Sequence, residues 1–241
     1  MKMELSAKTA KAFVKGVEKM TEMPLLVFDA NGVKTRTIKS DNTALLDIQI
    51  PKEAAESFEY TASNSVEVAV LIADIKDMTK SLVVKDTLFI EYNTDDPTWL
   101  ILSANGVEKR VRCKNASLIK RHKAPTIQSK WSADLPFKQT KAFLSSCVKE
   151  SSFEISVSES MQFEAKNDDE KLTLEFDTDE INLHCEEGEY STHLTPETFL
   201  ALLSVASAKT LIRLKGSSGE VVEAHWKEAG LILTGWIAPR T

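Results

Sequence analysis

The sequence predicts an antiparallel α+β protein built from two similar domains, and two observations support this fold class. The first is an internal repeat, in which an amphipathic helix near the start of the chain recurs about halfway along it. The second is a series of short strand-like segments between the predicted helices. They alternate apolar and polar residues and end at turns rich in Gly, Asn, Asp or Ser. Helices that share one face of antiparallel sheets fit this pattern.

The first predicted helix spans residues 5–19. Phe13, Val14 and Val17 recur at the spacing of one helix face, and Ser6 is a suitable N-cap. The other face carries four lysines, Lys8, Lys11, Lys15 and Lys19.

The repeat of this helix lies 130 positions later, over residues 135–149. Phe143 and Leu144 take the places of Phe13 and Val14, so the same face is apolar. The polar face again carries lysines, Lys138, Lys141 and Lys149. Because the two segments share both faces, we interpret the chain as a duplication.

A second pair of predicted helices, residues 71–82 and 194–207, supports the duplication because each precedes a strand-like segment. The earlier helix carries Lys76 and Lys80, whereas the later one has no lysine before Lys209, just past its end. Each half is therefore predicted to run helix, strands, helix, strands. The predicted strands include residues 25–30, 44–50, 153–159, 171–178, 181–187 and 230–236.

Residues 115–130 have no regular period and are predicted to form an extended surface connector. The predicted division is an N-terminal domain of residues 1–114, the connector, and a C-terminal domain of residues 131–241.

The composition is that of an ordinary globular protein, with 241 residues, 42% of them hydrophobic and 27% charged. No stretch reaches the roughly 18 apolar residues of a membrane span, and no signal peptide is recognised, so an intracellular location is expected. The net charge of −6 excludes a chain that is basic all over, but not a basic patch. Cys113, Cys147 and Cys185 are predicted to be reduced core thiols.

No catalytic, metal or cofactor site is predicted. The four histidines are scattered, and neither a glycine-rich phosphate loop nor a Gly-x-Ser-x-Gly motif occurs. His184 and Cys185 are neighbours on a predicted strand, so they point to opposite faces and do not form a nucleophile–base pair. Acidic runs such as residues 168–170 are typical of solvated turns. An enzyme is retained only as the alternative from another class.

Taken in order, these elements resemble a DNA polymerase sliding clamp of the proliferating cell nuclear antigen (PCNA) family, archaeal or eukaryotic in style. The resemblance covers essentially the whole chain. It rests on the first helix and on the stretches NGVKTRTIKSDNTALLDIQIP (31–51), KDTLFIEY (85–92) and LILTGWIAPR (231–240). The resemblance depends on the order and spacing of these stretches, since none of them alone is as specific as a zinc-binding motif.

The resemblance implies the DNA clamp fold, with two similar clamp domains per chain, sheets outside and four helices inside, and three chains in a ring. Such a processivity factor encircles duplex DNA in replication and repair and performs no bond chemistry. The implied partners are double-stranded DNA of any sequence, the chain itself as a homotrimer, and a clamp loader. A DNA polymerase, a flap nuclease and a ligase are implied to bind through short glutamine-and-aromatic motifs. No cofactor and no membrane are implied, and the location is the cytoplasm or nucleoid of an archaeon or the nucleus of a eukaryote.

The lysine faces are the implied contact with DNA. Lysine is a flexible point charge, so its contacts with phosphates are blind to sequence and easily exchanged while the DNA slides. A single helix face with lysines is typical of any solvated helix. Because the pattern recurs in the second helix, a role in contacting DNA is favoured. The implied DNA-binding residues are Lys8, Lys11, Lys15, Lys19, Lys76, Lys80, Lys138, Lys141, Lys149 and Lys209.

The resemblance also implies a pocket for the client motif, formed by the end of the last strand and the connector. The implied pocket residues are Ile38, Ile127, Trp236, Ile237, Ala238 and Pro239. The alternative role of Trp236 is to close the domain core. The connector of the family is usually acidic, whereas residues 120–123 (KRHK) are basic. Either this protein binds different client proteins, or the connector itself contacts nucleic acid.

Subunit contacts are implied between the edge strand 106–113 and the edge strand 170–178 of a neighbour, because long unpaired edges favour association. Their charges are complementary, with Lys109, Arg110 and Arg112 against Glu170, Glu175 and Asp177. The implied interface residues are Val107, Lys109, Arg110, Val111, Arg112, Leu172, Leu174, Glu175 and Phe176. Two alternatives within the fold stay open, a subunit of a heterotrimeric clamp and a damage-checkpoint-type clamp.

Overall fold

The computed structural model describes residues 1–150 and 152–240, and within them it forms a mixed α+β fold. The α-helices are α1 (Ala7–Glu18), α2 (Ile72–Lys80), α3 (Phe137–Ser146) and α4 (Pro196–Leu202). Short 3₁₀ turns occupy Lys52–Ala54, Ala116–Leu118 and Leu203–Val205. The predicted α+β class is therefore confirmed.

The strands are short, and they form antiparallel pairs. The first nine are β1 (Lys2–Ser6), β2 (Leu25–Asp29), β3 (Gly32–Ile38), β4 (Ala44–Pro51), β5 (Ser57–Glu59), β6 (Val66–Ala69), β7 (Thr87–Tyr92), β8 (Trp99–Ala104) and β9 (Val107–Arg112). They are followed by β10 (Trp131–Pro136), β11 (Phe153–Val157), β12 (Met161–Lys166), β13 (Lys171–Phe176), β14 (His184–Cys185), β15 (Tyr190–Leu194), β16 (Leu211–Gly216), β17 (Val222–Glu228) and β18 (Leu231–Ile237). The pairs β1–β7 and β8–β9 run antiparallel, as do β10–β16 and β12–β13.

The chain packs as two compact units that do not follow a single cut in the sequence. The first contains Met1–Ile38, Asp47–His122 and Lys227–Leu233. The second contains Lys39–Leu46, Lys123–Trp226 and the described residues from Thr234 onward. The domain boundaries at residues 114 and 130 stay predictions.

The first unit packs α1 and α2 together against its sheets. One sheet has the strand order β5-β1-β7-β8-β9, which leaves β9 at an edge. Strands β6, β2, β3 and β4 lie side by side in a second sheet, with β6 at its edge. The core forms where these layers meet, and Leu5, Phe13, Phe28, Ile75 and Leu100 are all buried there.

The second unit repeats this plan with α3 and α4. One sheet has the order β13-β12-β11-β15, with β13 at an edge, and strands β14, β10, β16 and the part of β17 up to Trp226 also lie side by side. Its core holds a cluster of aromatic rings whose centroids lie 5.1 to 6.0 Å apart. The cluster consists of Phe143, Phe153, Phe163, Phe176 and Phe199. Aromatic packing of this kind adds to the stabilisation from buried area.

The prediction that α3 reaches residue 149 is wrong. The helix ends at Ser146, because Cys147 has φ −104° and ψ 16° and no longer continues it. Lys149 therefore lies beyond the helix. The strand predicted over 181–187 is likewise reduced to His184–Cys185.

Candidate nucleic-acid interface and partner surfaces

The lysine face of α1 is the exposed side of a capped, amphipathic helix. The Ser6 side chain caps it by accepting a hydrogen bond from the Thr9 N–H at 3.2 Å, and Phe13 is buried on the other side. All four predicted lysines are exposed, namely Lys8, Lys11, Lys15 and Lys19. Lys11 donates from Nζ to the carbonyl oxygen of Leu82 at 2.6 Å, so its ammonium group is less available than the others.

The two lysines of α2 are engaged in ion pairs within the first unit. Lys76 Nζ lies 2.5 Å from Glu18 Oε2, and Lys80 Nζ lies 2.7 Å from Asp77 Oδ1. The hydrogen bond and positive charge of Lys80 lower the pKa of Asp77 below its ordinary value. Local carboxylates therefore reduce the positive charge that α2 presents.

The positive charge of the lysines of α3 is not offset by neighbouring carboxylates among the described residues. Lys138 and Lys141 are exposed, α3 contains no acidic residue, and neither lysine forms an ion pair with another residue that the structure describes. Phe143 and Leu144 are buried on the opposite side of the helix. Lys149 is exposed, but it follows the helix.

The fourth helix carries no cation. Its charged residue is Glu197, and Lys209 is exposed in the segment between α4 and β16. Among the described helices, the lysines without an ion pair lie on α1 in the first unit and on α3 in the second, while the whole chain has a net charge of −6. Each unit therefore carries exposed lysines on one helix although the chain as a whole is acidic.

Trp236, in the predicted client pocket, is buried, with 7% of its surface exposed. Its indole Nε1 donates to Glu223 Oε2 at 3.0 Å. The neighbouring Gly235 faces α4, because a Cβ atom there would lie 2.5 Å from the Leu202 side chain. Since successive residues of a strand point to opposite faces, Trp236 lies on the face of β18 turned away from α4.

The residues after Trp236 form an extended segment anchored within the second unit. Ile237 is buried, Ala238 is exposed and Pro239 is half-buried. The N–H of Ala238 donates to the Thr43 carbonyl oxygen at 2.9 Å, and that of Arg240 donates to the His193 carbonyl oxygen at 2.8 Å. No pattern in the sequence indicated Glu223, Thr43 or His193 as partners of this segment.

The remaining predicted pocket residues lie in different units. Ile38, at the end of β3, is half-buried in the first unit, and Ile127 is half-buried in the second.

Two arginines hold the basic connector against the first unit, and each of them is paired with a carboxylate. The sequence did not indicate these pairs. Arg121 binds Glu67 through two hydrogen bonds, one of them 3.1 Å from Nε to Oε1. Arg36 donates to Asp47 Oδ2 from Nε at 2.9 Å and from Nη2, and its Nη1 donates to the His122 carbonyl oxygen at 3.4 Å. Forked arginine–carboxylate pairs are the stronger and more directional kind of ion pair.

Strand β9 is an edge strand whose cations are partly used within its own unit. Lys109 Nζ lies 2.9 Å from Asp74 Oδ1, and Arg110 Nε lies 3.0 Å from Glu108 Oε1. Arg112 is exposed. Val107 is exposed, whereas Val111 is buried.

Strand β13 is the corresponding edge of the second unit. Leu172 and Leu174 are half-buried and Phe176 joins the aromatic cluster, whereas Glu175 is exposed. Their alternation places the apolar residues on the face toward the core. The free backbone edge of β13 therefore borders the core-facing side of its sheet.

The three cysteines are free thiols, and burial raises the pKa of Cys147 to about 11. Within residues 1–150 and 152–240, no group of three or more His, Cys, Asp or Glu side chains is placed to hold a metal ion. None of the described helices has the length and apolar character of a membrane span.

Two units with this arrangement of sheets and paired helices have the fold of the PCNA sliding clamps, as the predicted resemblance implied. The solved structures that share it include A. fulgidus PCNA bound to the C-terminal region of FEN-1. The TM-score is 0.90 and the identity 18%, over 100% of this chain and 98% of that chain. PCNA from Thermococcus kodakaraensis has a TM-score of 0.88 at 13% identity, over 99% of both chains.

The PCNA2–PCNA3 complex from Sulfolobus tokodaii contributes a third match, with a TM-score of 0.82 and 19% identity over 100% of this chain and 99% of that chain. The sequence matches no protein-family model and no curated protein. At these identities, the matches show the shared fold.

Proposed function

We propose that this chain is a DNA sliding clamp, three copies of which form a ring around duplex DNA and tether replication and repair enzymes to it. The observation that supports this most is the pair of repeated helices, α1 and α3, with unpaired lysines on their exposed faces. Both occur in a chain whose fold matches sliding clamps over its whole length. A cationic surface made of lysine suits a protein that must hold DNA without fixing its position.

We further propose that the chain performs no bond chemistry and acts only as a tether. In support, the lysines of α1 and α3 are exposed rather than buried beside a nucleophile. The buried Cys147 is held in the thiol form by its raised pKa, which is unfavourable for nucleophilic attack.

The proposed function predicts topological retention on DNA. After loading onto a circular duplex, the protein should remain bound at about 0.5 M salt, where individual phosphate contacts are strongly weakened. Cutting the circle once should release it, because a ring slides off a free end. Release at the same rate from intact and cut circles would contradict a clamp and indicate ordinary cationic binding.

We also propose that the segment around Ala238 and Pro239 accepts the client motif, since a PCNA of the same fold binds the C-terminal region of FEN-1. Replacing Trp236 is an unsuitable test, because removing a buried tryptophan costs roughly 3 to 5 kcal/mol in stability. Ala238 is exposed, so a change there leaves the core intact.

The variant Ala238→Glu is expected to weaken binding of a peptide from the FEN-1 C-terminal region by about tenfold or more, since it adds bulk and charge to an apolar contact. Isothermal titration calorimetry measures the affinity, and the melting temperature should not change. Ala208→Glu, at another exposed alanine, is the matched control and should bind like wild type. Equal affinity of both variants would place the client site elsewhere.

A further inference from the structure

The sheet β5-β1-β7-β8-β9 of the first unit has one buried face and one open face. Leu88, Leu100 and Leu102 are buried on the side where α1 and α2 pack. Since successive residues of a strand point to opposite faces, Phe89 and Trp99 lie on the other side. Their side chains are 44% and 37% exposed. We call this side the outer face of the sheet.

The outer face carries an apolar patch that consists of Phe89, Ile101 and Trp99. Phe89 of β7 lies opposite Ser103 of β8, so Ile101 is its diagonal neighbour, at a typical spacing of about 7 to 8 Å. Trp99 comes two residues before Ile101 on the same side of β8. From Ser103 to Trp99, the patch extends about 14 Å along the strand. Because aromatic side chains are enriched at protein interfaces, this patch has the composition of a docking surface.

The charged residues around the patch form an acidic rim. On the outer face, Lys2 Nζ lies 3.6 Å from Glu91 Oε1, and Arg110 is paired with Glu108, so these four charges offset one another. Other charged side chains nearby form no ion pair with another described residue, and most of them are acidic. They are Glu4, Glu56, Glu59, Asp95 and Asp96, against the single cation Arg112.

We propose that the patch is a docking surface for a basic amphipathic helix of a partner protein. The apolar residues of that helix pack on Phe89, Ile101 and Trp99, and its lysines or arginines lie beside the acidic rim. A helix suits this face because the apolar side of a sheet is commonly buried against helices, as α1 and α2 do on the opposite side. The length of the patch corresponds to about two and a half helical turns.

The rim favours a basic protein segment over other ligands. Its carboxylates repel phosphate, which disfavours both nucleic acid and an anionic membrane surface. Pairing of β9 with a neighbouring chain uses backbone groups at the edge of the sheet, so the patch would stay open in a ring. The proposed client segment around Ala238 lies in the second unit. The patch is therefore an additional surface, and its assignment does not depend on the proposed function.

Trp99 is a built-in reporter for this surface, because the other three tryptophans, Trp131, Trp226 and Trp236, are at most 7% exposed. The probe is a synthetic helical peptide of leucine and lysine with all leucines on one face. Added to the full chain at about 50 mM salt, it should shift the emission of Trp99 to shorter wavelength and reduce its quenching by acrylamide about twofold. A peptide of the same composition with leucines spread around the helix should bind at least tenfold more weakly.

Two variants of the surface are each expected to weaken binding about tenfold or more, namely Phe89→Ser and the double variant Glu4→Lys with Glu59→Lys. Their matched controls lie in the second unit and should bind like wild type. They are Leu211→Ser, at a strand residue that is 60% exposed, and Glu187→Lys with Glu189→Lys, at exposed carboxylates. Melting temperatures show that each variant is folded, and the double variant tests the surface independently of Phe89→Ser.

Emission of Trp99 that stays unchanged throughout the titration would overturn the proposal. Equal losses of affinity in the Glu4–Glu59 and Glu187–Glu189 variants would also overturn it, because overall charge would then determine binding. No DNA enters this measurement, so its outcome is distinct from that of the retention experiment on circular DNA.

Discussion

Reversing the charge of both Lys138 and Lys141 is expected to reduce affinity for duplex DNA about a hundredfold at roughly 50 mM salt, or about tenfold for each lysine. Both side chains are exposed on α3 and have no carboxylate partner among the described residues. Their full charge is therefore available to phosphates, and a glutamate in each place adds repulsion. Fluorescence anisotropy with a labelled duplex measures the loss across a salt series.

The control for this experiment changes the net charge equally but away from the helices. Lys166 and Lys227 are exposed and lie on β12 and β17, so their replacement by glutamate should change the affinity by no more than about twofold. A loss equal to that of the α3 variant would mean that overall charge, not the helix face, determines binding.

The lysines of α2 are expected to contribute less to DNA affinity than those of α3. Lys76 and Lys80 already lie beside Glu18 and Asp77, which offset part of their charge.

The fold and the lysine faces were predictable because their signals are local. The spacing of Phe13 and Val14 recurs at Phe143 and Leu144, and burial of these side chains follows directly from helix periodicity. The end of α3 was not predictable in this way. The residues around Cys147 continue the apolar spacing, and only the backbone conformation there ends the helix before Lys149.

The ion pairs around the candidate surfaces could not be predicted, because they depend on which strands become neighbours. Arg121 and Glu67 are 54 residues apart, so the sequence showed a basic connector without showing that one of its cations is engaged. Strand β9 provides the opposite case. Its cations were expected to meet a neighbouring chain, yet Lys109 also has a carboxylate partner, Asp74, within its own unit.

The largest effect on assembly is expected from a proline at the free edge of β13. The N–H of Asn167 donates to the carbonyl oxygen of Glu170 at 3.0 Å and closes the β12–β13 hairpin. Hydrogen-bonded and non-hydrogen-bonded pairs then alternate along the two strands. The N–H of Leu174, opposite Phe163, is therefore directed to β12, whereas that of Thr173 is directed to the open edge.

Thr173→Pro should leave the unit folded and prevent ring formation, because an edge strand tolerates proline where its N–H faces outward. Light scattering is expected to give a mass of three times 26.8 kDa for the wild type and 26.8 kDa for this variant. Thr173→Val keeps the N–H and should remain trimeric, while Leu174→Pro removes a bond within the sheet and should lower the melting temperature. A folded Thr173→Pro variant that still forms trimers would show that the ring does not close through this edge. A wild-type chain that is monomeric at every concentration would instead favour a heterotrimer, in which the β13 edge pairs with a different subunit.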